Sequence, residues 1–499
     1  MFGHESILLG VIGDLMRPDL LALMAVGTVI GIVVGMLPGL SATMAIALLL
    51  PFTFTMAPTT SISLLVAIFV GGISGGMISA ILLRIPGTPN SVATLLDGYA
   101  MAQKGMAAQA LGYAAIASFF GTIISGVFLV ALAPMLSKFA LKFYFPEYVA
   151  AFFFALTAVV AVSGRVLSKG LISCFIGLLA ATAGMSTIDG LSRFDFGIPA
   201  MLSGFPLVPA LVGLFALSQI MSDAFKPDNG AKTGDQKISF RTMLPPRRTL
   251  VRQSGNIVRS SLIGTFVGIL PAVGGGPAGL ISYAQARNSS KHPETFGTGP
   301  EEGVIASEAA NNATIGGALI TALSLGIPGD TVTAMLLGGL MIQGVQPGPL
   351  IFRNNPDVVF SIYLSVFISA MFMIVFLLLT TRWIVKVLAV PKQFLLPAIF
   401  VLASIGVYSI NGQVSDLIVM CGFGLLGFIL EYFRYPLAPV ILGFLLGPPF
   451  EANLRKMLGS SGSLEPLFTS PIALTLIAVA LVFLGFSLHS QRRAARQEK

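Results

Sequence analysis

Long apolar runs separated by short polar punctuation make up most of this chain. Those runs are Leu20–Phe54, Ser61–Leu83, Met106–Ala133, Tyr148–Val162, Gly170–Ala183, Val208–Met221, Ser260–Gln285, Val358–Thr380, Phe394–Ile410, Leu417–Leu430, Leu437–Leu445 and Ile472–Leu488. A run of about 20 apolar residues crosses a bilayer as a helix. None shows the alternation of apolar and polar residues that marks the strands of a membrane β-barrel. The pattern therefore predicts an all-α polytopic membrane protein with about twelve membrane segments. Pro134–Pro146, with Lys138 and Lys142 among aromatics, is expected to lie along the interface. Pro448-Pro449 and Ser460–Ser463 are expected to be loop.

Two stretches break the pattern. Gly71–Gly105 and Asn311–Gly344 are apolar enough for lipid, yet rich in glycine and tipped with Pro-Gly and polar residues. Backbone broken at membrane depth is tolerated only where protein buries it or where it lines a cavity. The breaks also recur in order. Val34-Gly35-Met36-Leu37-Pro38 matches Val267-Gly268-Ile269-Leu270-Pro271, 233 residues on. Ile85-Pro86-Gly87 matches Ile327-Pro328-Gly329, 242 residues on. Gly75-Gly76 and Leu95-Leu96-Asp97-Gly98 have counterparts at nearly the same spacing, in Gly316-Gly317 and Leu336-Leu337-Gly338-Gly339. This order implies an internal repeat. It divides the chain into a first half (1–222), a basic linker (223–259), a second half (260–488) and a tail (489–499). Each half would carry interrupted helices or re-entrant hairpins, a recurring sign of a carrier's binding site.

Charge sets the orientation. Only 10% of residues are charged, 55% are apolar, and the net charge is +8. The excess is concentrated in the linker Asp223–Arg259, where eight Lys/Arg face three Asp, and in the tail Arg492-Arg493-Ala494-Ala495-Arg496. Both are expected to be cytoplasmic, and the charge gives no reason to invoke nucleic acid. Arg165–Lys169 and Arg382–Lys392 then also fall inside and Ser186–Pro199 outside, which is consistent with antiparallel copies, that is, two inverted repeats. Lys138 and Lys142 would lie outside, against the rule. Cys174 and Cys421 sit in apolar runs and read as small core residues. No cleavable leader is expected, since Met1–Asp19 lacks a basic start and its apolar run is short.

Helix breaks offer two kinds of chemistry. Free N–H groups and the positive end of a half-helix hold anions. Freed carbonyls with a carboxylate hold Na⁺ or a proton. The structural breaks are placed at Gly35, Pro38, Gly39, Pro86, Gly87, Gly268, Pro271, Pro328 and Gly329. Candidate anion contacts are Ser41 and Thr43 after the first break, Thr88, Asn90 and Ser91 at the first tip, and Asn311, Asn312 and Thr331 around the second. Capping explains Ser41 and Thr43 equally well, and bonding across helices explains Asn311 and Asn312 equally well. Asp330 either ligates a coupling cation, with a Na⁺ site near it, or simply caps the helix that follows. Arg84 is expected to snorkel rather than pair with a carboxylate substrate, and Glu301 and Glu302 to be solvated in a loop. Glu308, one turn before Asn311-Asn312, either enters the site or is a first-turn acid favoured by the helix dipole, with the second expected. Gly274-Gly275-Gly276-Pro277-Ala278-Gly279 mimics a dinucleotide motif but lacks a βαβ context. There is no HExxH motif and no Walker A motif, so no enzyme chemistry and no bound cofactor are expected.

Gly35-Met36-Leu37-Pro38-Gly39, Pro300-Glu301-Glu302-Gly303-Val304, Glu308-Ala309-Ala310-Asn311-Asn312-Ala313 and Leu325-Gly326-Ile327-Pro328-Gly329 resemble the large membrane subunit of the tripartite tricarboxylate transporters. The resemblance covers nearly the whole chain. Ser307 and Ala309 stand where the family's motif usually has proline and serine. It implies a multi-pass subunit in the bacterial inner membrane that imports carboxylates by symport with Na⁺ or H⁺. It also implies two partners, a small four-helix membrane subunit and a periplasmic solute-binding protein. An elevator-like motion is expected, with Met106–Ala133 and Val358–Thr380 as scaffold or arms. A passive anion channel and a self-contained ion-coupled carrier are the alternatives. The residues leave the particular carboxylate open, because neutral donors suit any of them.

Overall fold

In a computed structural model the chain is all-helical apart from one two-residue strand pair among the described residues. The structure describes residues 5–162, 166–186, 188–225, 238–271 and 273–497. Arg165, most of the polar part of the basic linker and the side chains of the arginine tail lie outside the described residues. The chain forms two compact units, and each takes one segment from either half of the sequence: Met1–Met135 with Asp223–Gly406, and Leu136–Ser222 with Val407–Lys499.

The first unit contains all the breaks. Its helices of eight or more residues are α1 (Glu5–Leu15), α2 (Pro18–Met36), α3 (Ala42–Leu49), α4 (Pro58–Leu83), α5 (Thr94–Gln103), α6 (Ala107–Ala140), α7 (Arg247–Ile269), α8 (Gly275–Ser289), α9 (Glu301–Leu325), α10 (Thr331–Ile342), α11 (Pro356–Ile384) and α12 (Lys392–Asn411). The polypeptide passes into the second unit near the end of α6 and again within α12. α4 and α9 form the centre: every residue of Ser61–Ile81 and of Gly303–Ser324 is buried. A helix apolar on all sides, as α4 is, has to be enclosed like this. α2 packs along α4 and α7 along α9.

Both pairs cross at small residues, and the crossings repeat. A Cβ on Gly35 would lie 2.1 Å from the carbonyl oxygen of Gly72, and one on Gly268 2.8 Å from that of Thr314. A Cβ on Gly75 would meet the Ile32 oxygen at 2.3 Å, and one on Gly317 the Thr265 oxygen at 2.2 Å. The partners correspond through the offsets of 233 and 242 residues found in the sequence. Without a hydrophobic force between helices in lipid, this close approach lets backbone pack on backbone. The helix ends repeat too: α4 stops at a left-handed Arg84 (φ 57°) and α9 at a left-handed Gly326 (φ 70°).

The second unit consists of helices Phe145–Val162, Leu167–Ala181, Leu207–Ala224, Val414–Tyr432, Leu437–Ser461 and Pro471–Gln497, with the antiparallel pair Gly184–Met185 and Ser192–Arg193. Arg455 reaches both Asp189 (2.7 Å) and Glu451 (2.9 Å), and Glu451 also holds Arg193 (2.8 Å).

Several expectations need correcting. Among the described residues, nine helices are long and apolar enough to cross a membrane, and four shorter apolar helices, Ala42–Thr53, Phe145–Ala161, Leu167–Ala181 and Thr331–Ile342, accompany them. Of the expected runs, Tyr148–Val162 and Gly170–Ala183 form shorter helices, and Ser260–Gln285 is split at Leu270 between α7 and α8. Pro134–Ala140 continues α6 rather than forming an interfacial helix, and Pro448-Pro449 lies inside a helix. Gly35 and Gly268 lie within α2 and α7 as crossing points; the chain breaks after them, at Leu37 and Leu270. α6 up to Met135 and all of α11 belong to the first unit, among the break-bearing elements.

Gly35→Leu and Gly268→Leu are expected to cost about 3 kcal/mol or more by forcing the crossings apart. Recovery of monodisperse protein in detergent should collapse for both. Gly10→Ala, where a Cβ would meet nothing within 4 Å, should leave recovery unchanged.

Candidate substrate and ion site

The four breaks converge in reciprocal pairs. The first tip, at the turn Pro89–Ser91, packs on the start of α8, and the second tip packs on α3. A Cβ on Gly276 would lie 3.1 Å from the Pro89 oxygen. In the matching contact Thr43 Oγ1 lies 2.9 Å from Thr331 Oγ1. Each tip therefore rests on the N-terminal end of the other copy's half-helix.

At the tips local capping dominates. Asp330 caps α10: its Oδ1 accepts from the Thr333 amide (2.7 Å) and hydroxyl (2.8 Å), and Thr333 Oγ1 accepts from the Asp330 amide (2.9 Å). Thr88 and Ser91, at the equivalent positions, hold each other at 3.2 Å. Ser41 accepts from the Met44 amide at 3.2 Å and caps α3. Glycine is required at both Pro-Gly turns for packing. A Cβ on Gly87 would meet the Gly35 oxygen at 2.4 Å, and one on Gly329 the Gly268 oxygen at 2.6 Å. Each tip is thereby pinned to its own copy's first break.

Two groups at this junction keep unmet polar capacity. Asn311 is fully buried, and neither Nδ2 nor Oδ1 has a hydrogen-bond partner. Its Oδ1 lies 2.3 Å from where a Cβ on Gly275 would sit, and the Asn90 side chain lies 3.0 Å from the same point. Gly275 is the first residue of α8, so these amides stand at a helix N-terminus. The second group is Asp330, whose Oδ2 is buried without a partner. Its Cβ is 3.9 Å from where a Cβ on Gly274 would sit, with Asn90 Oδ1 at 4.0 Å from that point. Asn90, Asn311, Asp330 and the start of α8 thus share one small volume. Thr43 and Thr331 meet across the second tip. Thr88 and Ser91 are turned toward Gly76.

Asn312 points elsewhere. Ser74 Oγ donates to its Oδ1 at 2.6 Å, and its Nδ2 donates to Ser118 Oγ at 2.7 Å. The same network contains Glu308. Thr94 donates to Glu308 Oε1, and Ser118 donates to Oε2 at 3.1 Å. Glu308 is fully buried two turns into α9; the first-turn acids are Glu301 and Glu302. Those two are helical rather than solvated in a loop. Glu301 pairs with Arg252, and Glu302 accepts from Ser290 (2.6 Å) and Gln253 (3.3 Å). Arg84 is exposed, 5.6 Å from the centre of the Tyr99 ring. Sequence reasoning undervalued Glu308; an acid at helical spacing before two asparagines, in an otherwise uncharged run, was the available signal.

A separate cleft of about 750 Å³ opens around the N-terminus of α9, lined by Lys104, Arg252, Arg259, Lys291, Glu301 and Glu302 among others. None of the residues singled out as anion contacts lines it. Arg252 is held by Glu301, and Arg259 donates to Asn256 at 2.9 Å. No group of three or more His, Cys, Asp or Glu among the described residues is arranged to hold a metal ion.

Comparison with known proteins accounts for the sequence as a whole. A family model described as the tripartite tricarboxylate transporter TctA family matches residues 21–442. An Agrobacterium vitis protein described as an uncharacterized 52.8 kDa protein in the TAR-I ttuC' 3' region is 37% identical over 474 residues, covering 95% of this chain and 94% of that protein. A second, from the TAR-II ttuC' 3' region of the same organism, is 37% identical over 236 residues, covering 47% of this chain and 98% of its own length. No solved structure matches. With the family model spanning both sets of helix breaks and the motifs around Asn311 and Gly329, this chain belongs to the tripartite tricarboxylate transporter TctA family.

Proposed function

We propose that this chain is the membrane subunit of a secondary carrier that imports carboxylates by cation symport across a bacterial inner membrane. The observation that carries the reading is Asn311, a fully buried amide with both polar atoms unpartnered, at the junction of two broken helices. Such a group is costly unless a ligand completes its bonding. An amide beside the first turn of α8 is suited to a carboxylate, which takes hydrogen bonds from side-chain and backbone N–H groups while the helix dipole favours its charge. Thr43, Asn90 and Thr331 would line the same space. Asp330, with one oxygen spent on the cap and the other unpartnered, would bind the coupling Na⁺ or proton.

The repeats would be inverted, with the basic linker and the tail cytoplasmic. The first unit, holding every break, would be the moving body of an elevator, and α6 and α12, which pass between the units, would be its arms. Substrate would arrive on a periplasmic solute-binding protein, and a small four-helix subunit would complete the membrane complex. The family's tripartite organisation supports these two partners.

The decisive experiment is uptake of labelled succinate, malate and citrate into proteoliposomes, with and without Na⁺, a pH gradient and the binding protein. Accumulation that needs a cation gradient and the binding protein supports the reading. Equilibration independent of both would make the protein a passive channel.

Asn311→Ala should raise the KM for uptake about 10-fold, since one hydrogen bond to a charged ligand is worth about 1.5–3 kcal/mol. Recovery of folded protein should hold.

Asparagine caps a helix about as well as aspartate. Asp330→Asn should therefore fold normally and lose the cation dependence of uptake. Unchanged cation dependence in that variant would leave Asp330 with capping alone.

A further inference from the structure

The geometry points to Glu308 as a proton-carrying group of this transporter, a second ionisable site besides Asp330. The inference rests on the carrier reading and adds the identity of a coupling ion.

Glu308 is fully enclosed at the centre of the first unit. Among the described residues its carboxyl group accepts hydrogen bonds from neutral donors: Thr94 of α5, Ser118 of α6, and Asn312 of its own helix, whose Nδ2 lies 3.4 Å from Oε2. α4, which supplies Ser74 to the network, carries no ionisable side chain at all. The ionisable groups on the neighbouring helices are engaged elsewhere. Asp97 of α5 accepts from the Gly297 and Gly299 amides at 2.7 and 2.9 Å, and Tyr283 of α8 packs edge-on against Phe296. Tyr113 of α6 faces Thr249, Arg252 of α7 pairs with Glu301, and Arg259 bonds Asn256. No cationic side chain among the described residues pairs with Glu308. A carboxylate held this way is stabilised by hydrogen bonds but penalised by burial, and binding a proton removes the penalty.

The surrounding hydroxyls can serve both protonation states. When Glu308 is ionised, Thr94 and Ser118 donate to it. When a proton from water binds at Oε1, that O–H can donate to Thr94 Oγ1. The Thr94 hydroxyl then turns to Ser307 Oγ, 3.2 Å away, and Ser307 already donates to the Val304 carbonyl at 3.0 Å. Rotating one hydroxyl hydrogen therefore satisfies every group in either state. A salt bridge would resist protonation, and an apolar pocket would resist ionisation; this cage resists neither. It is also linked to the substrate junction, because Asn311 follows Glu308 by one turn and Asn312 bonds the same carboxyl.

The test compares wild type with Glu308→Gln, which keeps the shape of the side chain and cannot release a proton. Both are reconstituted with the partner proteins and assayed with labelled succinate, malate and citrate. Wild type should accumulate substrate under an inward proton gradient. Glu308→Gln should lose that accumulation while retaining substrate exchange across the membrane, which needs no net proton movement. Infrared difference spectra should contain a pH-titrating carboxyl band that is missing in Glu308→Gln and shifted in Thr94→Val. If no carboxylate is taken up by wild type, the carrier reading falls. If wild type accumulates substrate without responding to a pH gradient, only the proton inference falls. Accumulation retained by Glu308→Gln also overturns it. If the variant loses exchange as well, the infrared comparison decides, and the absence of a titrating band belonging to Glu308 overturns the proposal.

Discussion

A peptide group that leaves its helix at membrane depth must be enclosed by protein, because lipid offers it no hydrogen bond. The chain interrupts its helices at Leu37, Arg84, Leu270 and Gly326, so each interruption needs a protein surface to receive it. That demand explains why α4 and α9 are buried along nearly their whole length. It also explains the glycine crossings. Only with Gly35 against Gly72, and Gly268 against Thr314, do the broken helices come close enough for each Pro-Gly turn to seat on the first break of its own copy.

Once the tips are seated, the two copies differ in chemistry rather than in path. Asp330 and Thr88 occupy equivalent positions and make equivalent capping contacts, but only Asp330 has an oxygen left over. Glu308, Asn311 and Asn312 correspond to Val66, Phe69 and Val70 in the first copy. At these positions the first copy is apolar, and it supplies hydroxyls (Ser74, Thr94) and the Asn90 amide, while the second supplies Glu308, Asn311, Asn312 and Asp330. Polar groups of this kind are expensive in such surroundings.

Much of the fold was legible because membrane burial leaves coarse marks. Run length, helix-breaking Pro-Gly pairs and the recurrence of both gave the helical class, the breaks and the repeat. The number of full-length helices was less legible, since apolar runs such as Leu20–Phe54 do not reveal which parts remain one helix. The fate of single polar residues was less legible again. Asn311 and Asn312 are adjacent and chemically identical, yet one is tied to Ser74 and Ser118 and the other is unpartnered. Adjacent helical side chains point about 100° apart, so what each meets depends on the neighbouring helix.

The sequence by itself determined that this is a membrane protein of interrupted helices, built twice, and it pointed to the family, because those properties depend on composition and order along the chain. Only the tertiary structure decided that the first tip of one copy rests on the half-helix of the other, that Asn312 rather than Asn311 is tied to Ser74 and Ser118, and that Glu308 lies in a cage of hydroxyls. These are relations between residues as much as 238 positions apart. They are set by which helix faces meet once α4 and α9 are enclosed, and no local pattern in the chain encodes that choice.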